Sequence, residues 1–72
     1  MPAPVFDEPT IEIIQTGRDR YKALVTWGQE INGKFTNPAF TTSGWGSRQD
    51  AAAAGASLYE RVTRDTLMEI VS

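Results

Sequence analysis

The strongest constraint on the fold is a helix start in the second half of the chain. The sequence Gly-Trp-Gly-Ser-Arg-Gln-Asp occupies residues 44–50 and is followed by four alanines at residues 51–54. Ser47 is a favourable N-cap residue, because its hydroxyl can accept a hydrogen bond from an amide of the first helical turn. Asp50, three residues later, is close to the usual capping-box partner and favours the positive end of the helix dipole. The residues before this point have the pattern of strands and turns, so the sequence predicts a small sheet followed by one helix.

The length and composition indicate one small domain without covalent or metal cross-links. A chain of 72 residues is near the lower limit at which a hydrophobic core alone supports folding. It contains no cysteine and no histidine, so we expect no disulfide, no metal site, no cofactor and no histidine general base. Aromatic packing has to supply much of the stability, and formation of a homodimer would add to it.

Charge and hydropathy limit the classes of partner. The chain carries seven Lys and Arg against nine Asp and Glu, a net charge of -2, whereas nucleic-acid-binding domains usually have a basic surface. No apolar stretch has the length of a membrane span. The first residues lack the basic start and apolar middle of a signal peptide. We therefore expect a cytoplasmic protein that does not bind a membrane.

Two alternating segments predict the first hairpin. Apolar and polar residues alternate over residues 10–16 and again over residues 21–27, as in half-buried strands. The Gly-Arg-Asp sequence at residues 17–19 lies between them and is typical of a hairpin loop. A three-residue loop brings the apolar faces of the two strands together, which fixes their register. The predicted cross-strand pairs are Ile11 with Val25 and Ile13 with Ala23.

A second turn is predicted at Asn32-Gly33, because a type I′ turn requires positive φ at both central residues. It joins the second strand to a third strand at residues 34–41. Gly28 interrupts the second strand and is expected to form a bulge. Such a bulge would shift the alternation and let Phe35 or Phe40 point into the core.

These elements predict an α+β domain, in which a three-stranded antiparallel meander is packed by one C-terminal helix in the order β-β-β-α. Pro38 cannot donate to a ladder, so we expect the third strand at the edge of the sheet and the second strand in its centre. Three prolines in residues 1–9 predict an extended arm. The single domain then comprises this arm, the sheet at residues 10–41 and the helix at residues 47–71.

The helical pattern is regular from Ser47 to Thr63 and then changes phase. Apolar residues recur on one stripe over this span, whereas the apolar residues after it would lie on the opposite side of a straight helix. Two alternatives remain open: a turn within residues 63–66 with the chain folding back, or a continuous helix with a second apolar face. The stripe comprises Ala51, Ala54, Leu58 and Val62, flanked by Gly55 and Tyr59.

Two apolar patches are candidates for contact with a protein partner. Ile14 and Leu24 lie diagonally on the solvent face of the first hairpin, outside the face that the helix would cover. Leu67, Met68 and Val71 form the second patch, on the helix segment that is out of phase. Contiguous exposed apolar surface indicates an interaction site, so we expect either a foreign protein or a second copy of the chain to bind there.

Catalytic and anion-binding sites are not predicted, and we do not expect an enzyme. The carboxylates lie on different elements, and the serines have no histidine to activate them. The glycine-containing turn at residues 44–46 lacks the Lys-Ser/Thr end of a P-loop. The densest basic patch comprises Arg18, Arg20 and Lys22, which together with Arg48 would be the nucleic-acid contacts of this chain.

Residues 44–54 and the helix that follows resemble the end of a double-stranded-RNA-binding domain. In that family a glycine-containing turn precedes Ser-Lys-Lys and an alanine-rich second helix that packs on a three-stranded sheet. The resemblance covers residues 10–62 in layout. The family's first helix has no counterpart before Thr10, and Arg48 and Gln49 replace the paired lysines that contact phosphates across the groove.

The layout is also similar to that of small accessory proteins of phages and mobile elements, including some anti-CRISPR inhibitors, by size and element order alone. We therefore expect a small non-catalytic protein-binding module, such as a phage or mobile-element accessory or inhibitor protein that acts by protein-protein contact. The alternative is a degenerate module for binding double-stranded nucleic acid.

Overall fold

The computed structural model describes residues 3–71, with side chains for residues 3–70. Within these residues six short strands precede one long helix, so the predicted α+β fold class is confirmed. The first two residues of the predicted arm and the side chain of Val71 lie outside the described part of the chain. The elements are β1 (Val5–Phe6), β2 (Thr10–Gly17), β3 (Arg20–Thr26), β4 (Gln29–Ile31), β5 (Lys34–Thr36), β6 (Ala39–Thr41) and α1 (Arg48–Val71).

The strands form two antiparallel three-stranded sheets, in the orders β1-β4-β5 and β2-β3-β6. They are the two halves of one meander of three chain segments, residues 5–17, 20–31 and 34–42. The second segment supplies the central strand of each sheet, and backbone hydrogen bonds continue between the two halves. The amide of Asp7 donates to the carbonyl of Gly28 at 2.9 Å, and the amide of Trp27 donates to the carbonyl of Pro38 at 3.3 Å. The interruption between the two halves, termed the sheet break, comprises residues 7–9, 27–28 and 37–38.

The first hairpin has the predicted register, but the predicted three-residue loop is wrong. Gly17 pairs with Arg20 after an irregularity between Gln15 and Gly17, so the turn comprises only residues 18–19. Ile11 faces Val25 and Ile13 faces Ala23, so the apolar side chains of β2 and β3 lie on one face. This face carries the helix, because Ile11, Ala23 and Val25 all lie next to Gly55 of α1.

The second hairpin turns at Asn32 and Gly33, whose φ angles are 55° and 78°. These are the two positive values that a type I′ turn needs, and asparagine and glycine adopt them at little cost. Ile31 faces Lys34 directly across the turn. The two-residue turn predicted from the sequence is therefore confirmed.

The extra residue expected at Gly28 lies instead in the first segment. The β3–β6 and β4–β5 pairings share one register across the sheet break, so the second segment has no bulge. In the first segment, three residues separate Phe6 from Thr10, whereas two separate their partners Gln29 and Thr26. The extra residue lies within residues 7–9, which end in Pro9. A proline cannot donate a hydrogen bond to a ladder.

Gly28 is needed for space. A β-carbon at this position would lie 2.9 Å from Cζ of Phe35 and 2.6 Å from a carboxylate oxygen of Asp7. The Phe35 ring therefore packs directly against the backbone of Gly28. Since Trp27 points to the helix, Gly28 and Phe35 lie on the opposite face of the sheet.

The helix begins as predicted and does not turn before its end. The amide of Asp50 donates to Oγ of Ser47 at 3.1 Å, which is the expected N-cap bond. The helix then continues unbroken to Val71, so of the two alternatives the continuous helix is formed and the fold-back is not. Thr63 lies buried within it and donates its hydroxyl to the carbonyl of Tyr59 at 2.8 Å.

The core lies between α1 and the central strand β3. Ala23, Val25 and Trp27 are buried on the sheet, and Ala51 is buried on the helix. Gly55 also faces the sheet, and its missing side chain lets the helix approach closely. Partly buried side chains surround this centre: Phe6, Ile11, Ile13, Leu58, Tyr59 and Val62.

Trp27 is the largest buried side chain and lies at the sheet break. Its indole stacks on the ring of Phe40 at a centroid distance of 5.6 Å and meets the ring of Tyr59 edge-on at 5.0 Å. Its Nε1 donates to Oε1 of Gln29 at 2.9 Å, so the buried polar group is satisfied. Of the two phenylalanines expected near the core, Phe40 thus packs on Trp27, whereas Phe35 is 66% exposed.

Candidate functional site

The face of the sheet opposite the helix, termed the uncovered face, carries the first predicted patch. Glu12 faces Leu24 and Ile14 faces Lys22, and these positions alternate with the core residues of the same strands. Ile14 and Leu24 are both half-buried. Among the described elements, only α1 packs on the sheet, and it packs on the other side. The structure therefore brings Ile14 and Leu24 together on open surface.

Two further apolar side chains lie on the uncovered face in the half of the meander beyond the sheet break. Val5 and Phe35 flank Glu30 on the neighbouring strands, and they are 55% and 66% exposed. Neither residue was predicted from the sequence as part of this surface. Their face depends on where the strands are interrupted, and the alternation within β1 and β5 is too short to reveal it.

The second predicted patch lies at the C-terminal end of α1. Leu67 is 39% exposed and Met68 is 61% exposed, whereas Val71 has no described side chain. Because α1 packs on the covered face, this patch and the Ile14–Leu24 patch belong to different faces of the molecule. They do not form one continuous surface.

The four basic residues proposed as nucleic-acid contacts are divided between two faces. Lys22 lies on the uncovered face, opposite Ile14. Arg48 lies on the helix face, with its guanidinium 5.1 Å from the centre of the Tyr21 ring in a cation-π contact. Arg18 and Arg20 are exposed at the end of the first hairpin. The three arginines therefore lie near one end of the domain, but the four basic residues do not share one surface.

A groove of about 490 Å³ lies between β6, the loop after it and the first half of α1. Trp45 forms one wall, and its backbone is held beside β3 by two hydrogen bonds with Tyr21, of 2.8 and 2.7 Å. Leu58 lies on the helix side, and Asp50 and Arg61 line the groove as well. The two charged residues are eleven positions apart on one helix, about 16 Å along its axis, so they lie toward opposite ends.

The groove was not predicted from the sequence, where residues 44–48 indicate only a strand-to-helix turn. Its shape depends on the loop geometry at Thr42, whose Oγ1 accepts a hydrogen bond from the amide of Ala23 at 3.0 Å. This side-chain bond ends the β3–β6 ladder and is followed by an extra residue before Trp45 pairs with Tyr21. Residues of this loop and of α1 line the groove from its two sides.

Tyr59 connects the helix to the sheet break. Its hydroxyl donates to the backbone carbonyl of Asp7 at 2.7 Å. Burial raises the pKa of Tyr59 above its ordinary value of 10.0, and the negative charges of Asp7 and Glu8 raise it further. The neutral hydroxyl is thus the form that the fold stabilises, which suits a structural contact.

Residues 3–71 contain no group of three or more acidic side chains placed to hold a metal ion. In the same part of the chain, the helix lacks the length of apolar sequence that crossing a bilayer requires.

Comparisons with models of protein families, with curated proteins and with solved structures found no match to this chain. The resemblance to double-stranded-RNA-binding domains and the similarity in layout to phage accessory proteins therefore stay predictions.

Proposed function

We propose that this protein is a small non-catalytic module that binds a foreign protein through the uncovered face of its sheet. The observation that supports the proposal is the exposure of Phe35, which lies with Ile14 and Leu24 on a face that no described element covers. Large apolar side chains on open surface are a feature of interaction sites. Aromatic side chains are also over-represented among the residues that dominate binding energy.

The surroundings of this patch favour a protein partner of a particular kind. Lys22 and the carboxylates of Glu12 and Glu30 lie on the same face as the apolar side chains. These charges alternate with the apolar side chains across the face, since Glu30 lies between Val5 and Phe35. The partner that fits has an apolar surface of its own with charges of both signs within it.

A binding role also agrees with the chemistry of the groove. Its one carboxylate and one guanidinium are far apart, and the chain has no histidine or cysteine to serve as a base or nucleophile beside them. A chain that binds without catalysis can act as an accessory or inhibitor protein by occupying a partner's surface. A phage or mobile-element protein of this type is our specific proposal.

The experiment compares variants in capture of partners from a lysate of the source organism. We expect Phe35→Asp and Leu24→Asp to abolish capture of a partner that the wild-type protein retains, while Met68→Asp, an equally exposed apolar site on the helix, retains it. Circular dichroism checks that each variant is folded. Retention by Phe35→Asp together with loss by Met68→Asp would assign binding to the helix end and refute the proposal.

Binding of double-stranded nucleic acid is the second candidate. It is favoured by the position of Arg18, Arg20 and Arg48 near one end of the domain, where Arg48 contacts the Tyr21 ring. We expect no measurable binding of duplex RNA or DNA near physiological salt, because Arg20 and Lys22 lie on the face opposite Arg48 and the net charge is negative. A salt-sensitive anisotropy transition that weakens in the Arg18→Ala, Arg48→Ala double variant would favour this candidate instead.

A further inference from the structure

The third segment of the meander, residues 34–42, presents a free backbone edge. Its even-numbered residues bond to the second segment, as the amide of Trp27 donates to the carbonyl of Pro38 and the amide of Thr42 donates to the carbonyl of Ala23. Backbone groups alternate in direction along a strand. The outward-facing residues are therefore Phe35, Asn37, Ala39 and Thr41, and in both sheets the third segment is the last strand.

Pro38 does not remove an outward-pointing N–H group from this edge. Proline protects an edge strand only where its missing N–H would have pointed outward. Pro38 faces inward, toward Trp27, so every outward-facing residue retains both its N–H and its C=O.

Charged side chains also fail to protect the edge. Between Lys34 and Arg48 the chain has no charged residue, although charges are the commonest protection of exposed strands. This edge comprises two three-residue strands, β5 and β6, and the two residues that join them in one register, and such an edge can accept a further strand.

We propose that a second copy of this chain pairs with this edge in antiparallel orientation, around a two-fold axis at Ala39. In this register Ala39 faces Ala39 of the second copy, and Asn37 faces Thr41. Each such pair exchanges two N–H···O bonds. The two meanders then form one continuous sheet, with both helices on the same side.

Side-chain complementarity selects this register. On the helix face, Phe40 of one copy lies opposite Pro38 of the other, which covers a ring that is 39% exposed in the single chain. On the uncovered face the smallest side chain, that of Ala39, lies at the axis. The paired residues 37–41 carry no charge, so no like charges meet in the ladder.

This self-association goes beyond the proposed function. It uses the edge of the sheet, whereas the foreign partner is proposed to bind its uncovered face. Either proposal can fail while the other holds, because the substitutions that test them lie at different positions.

Sedimentation equilibrium of the full chain over a range of concentrations tests the proposal. We expect the wild-type protein to approach twice the chain mass of 7.9 kDa. Ala39→Lys and Ala39→Glu, each measured alone, place like charges at the axis and are expected to stay monomeric. An equimolar mixture of the two is expected to recover the double mass, because opposite charges then meet. Thr26→Lys is the matched control, since Thr26 faces Ala39 from β3 and its side chain stays away from the second copy.

Amide hydrogen exchange identifies the surface that is used. The amides of Ala39 and Thr41 are expected to exchange slowly in the wild-type dimer and rapidly in Ala39→Lys. A wild-type protein that is monomeric throughout the range, or a mixture of the two variants that stays monomeric, would overturn the proposal. A dimer whose Ala39 and Thr41 amides exchange as fast as those of the monomeric variant would overturn it too, and would assign the contact to another surface.

Discussion

Replacement of Gly55 by alanine tests the close approach of the helix to the sheet. In most helices this change is stabilising, because glycine is about 1 kcal/mol less favourable than alanine in a helix interior. Here the added β-carbon would lie 3.1 Å from Cβ of Ala23, 3.1 Å from Cγ2 of Val25 and 3.2 Å from Cγ2 of Ile11. Ordinary carbon contacts are about 3.5–4.0 Å, so all three distances are several tenths of an ångström too short.

The size of the stability change depends on which of these atoms can move to relieve the contact. The β-carbon of Ala23 is attached directly to the central strand and has no rotamer that would relieve the contact. The helix must therefore move outward, which loosens its packing on Val25. Overpacking of this kind costs about 1–3 kcal/mol. After subtraction of the gain in helix propensity, we expect Gly55→Ala to lower the free energy of unfolding by about 1 kcal/mol, or the melting temperature by roughly 4–8 °C.

The assay is urea unfolding followed by circular dichroism. Ala56→Gly is the matched control, because Ala56 is the next residue of the same helix and is exposed. It measures the propensity term alone, and we expect a loss of about 1 kcal/mol. If Gly55→Ala instead stabilised the protein by as much as Ala56→Gly destabilised it, the helix would not lie as close to the sheet as described.

Two further predictions concern single residues of the helix region: Ser47, which caps the helix, and Tyr59, which contacts the sheet break. Ser47→Ala removes the acceptor of the Asp50 amide and is expected to cost about 1 kcal/mol in urea unfolding, whereas an unchanged midpoint would show that the cap is dispensable. The pKa of Tyr59 is raised in the folded state by burial and then by Asp7 and Glu8, so the stability linked to its proton is present below pH 10 and is lost as the pH rises through the folded pKa. Tyr59→Phe is therefore expected to flatten the loss of stability as the pH rises above 10, and parallel pH profiles for the two proteins would contradict this.

The parts of the fold that could be predicted from the sequence are those determined by a few neighbouring residues. The Ser47 cap depends on one hydroxyl and the first helical turn. The turn at Asn32-Gly33 depends on two residues that tolerate positive φ. The register of the first hairpin follows from two alternating segments that have to present their apolar faces together.

The parts that could not be predicted depend on the relative placement of separate elements. The sequence suggested a bulge at Gly28, but the extra residue lies in the first segment, where the prolines conceal any alternation. The exposure of Phe35 follows from this difference. Likewise, the phase change after Thr63 was evident from the sequence, yet only the three-dimensional structure decides between a turn and a continuous helix.

Only the part of the candidate site that lies on the first hairpin could be predicted from the sequence. Alternation along β2 and β3 is enough to place Ile14 and Leu24 outside the helix face. To predict that Val5 and Phe35 belong to the site, one must know the course of the meander beyond the sheet break. To predict the groove beside Trp45, one must know the position of the loop relative to the helix.

The sheet break determines how this domain can deform. Along that line the ladder is reduced to a few backbone bonds, of which the bond from Trp27 to the Pro38 carbonyl is long at 3.3 Å. A bending load applied to the distal hairpin would therefore be absorbed at this line. Tyr59 reaches across this line from the helix to Asp7, and its ring meets the Trp27 ring edge-on. The hairpin of β4 and β5, with its exposed Phe35, can therefore tilt at the sheet break, and the contacts of Tyr59 oppose this tilt.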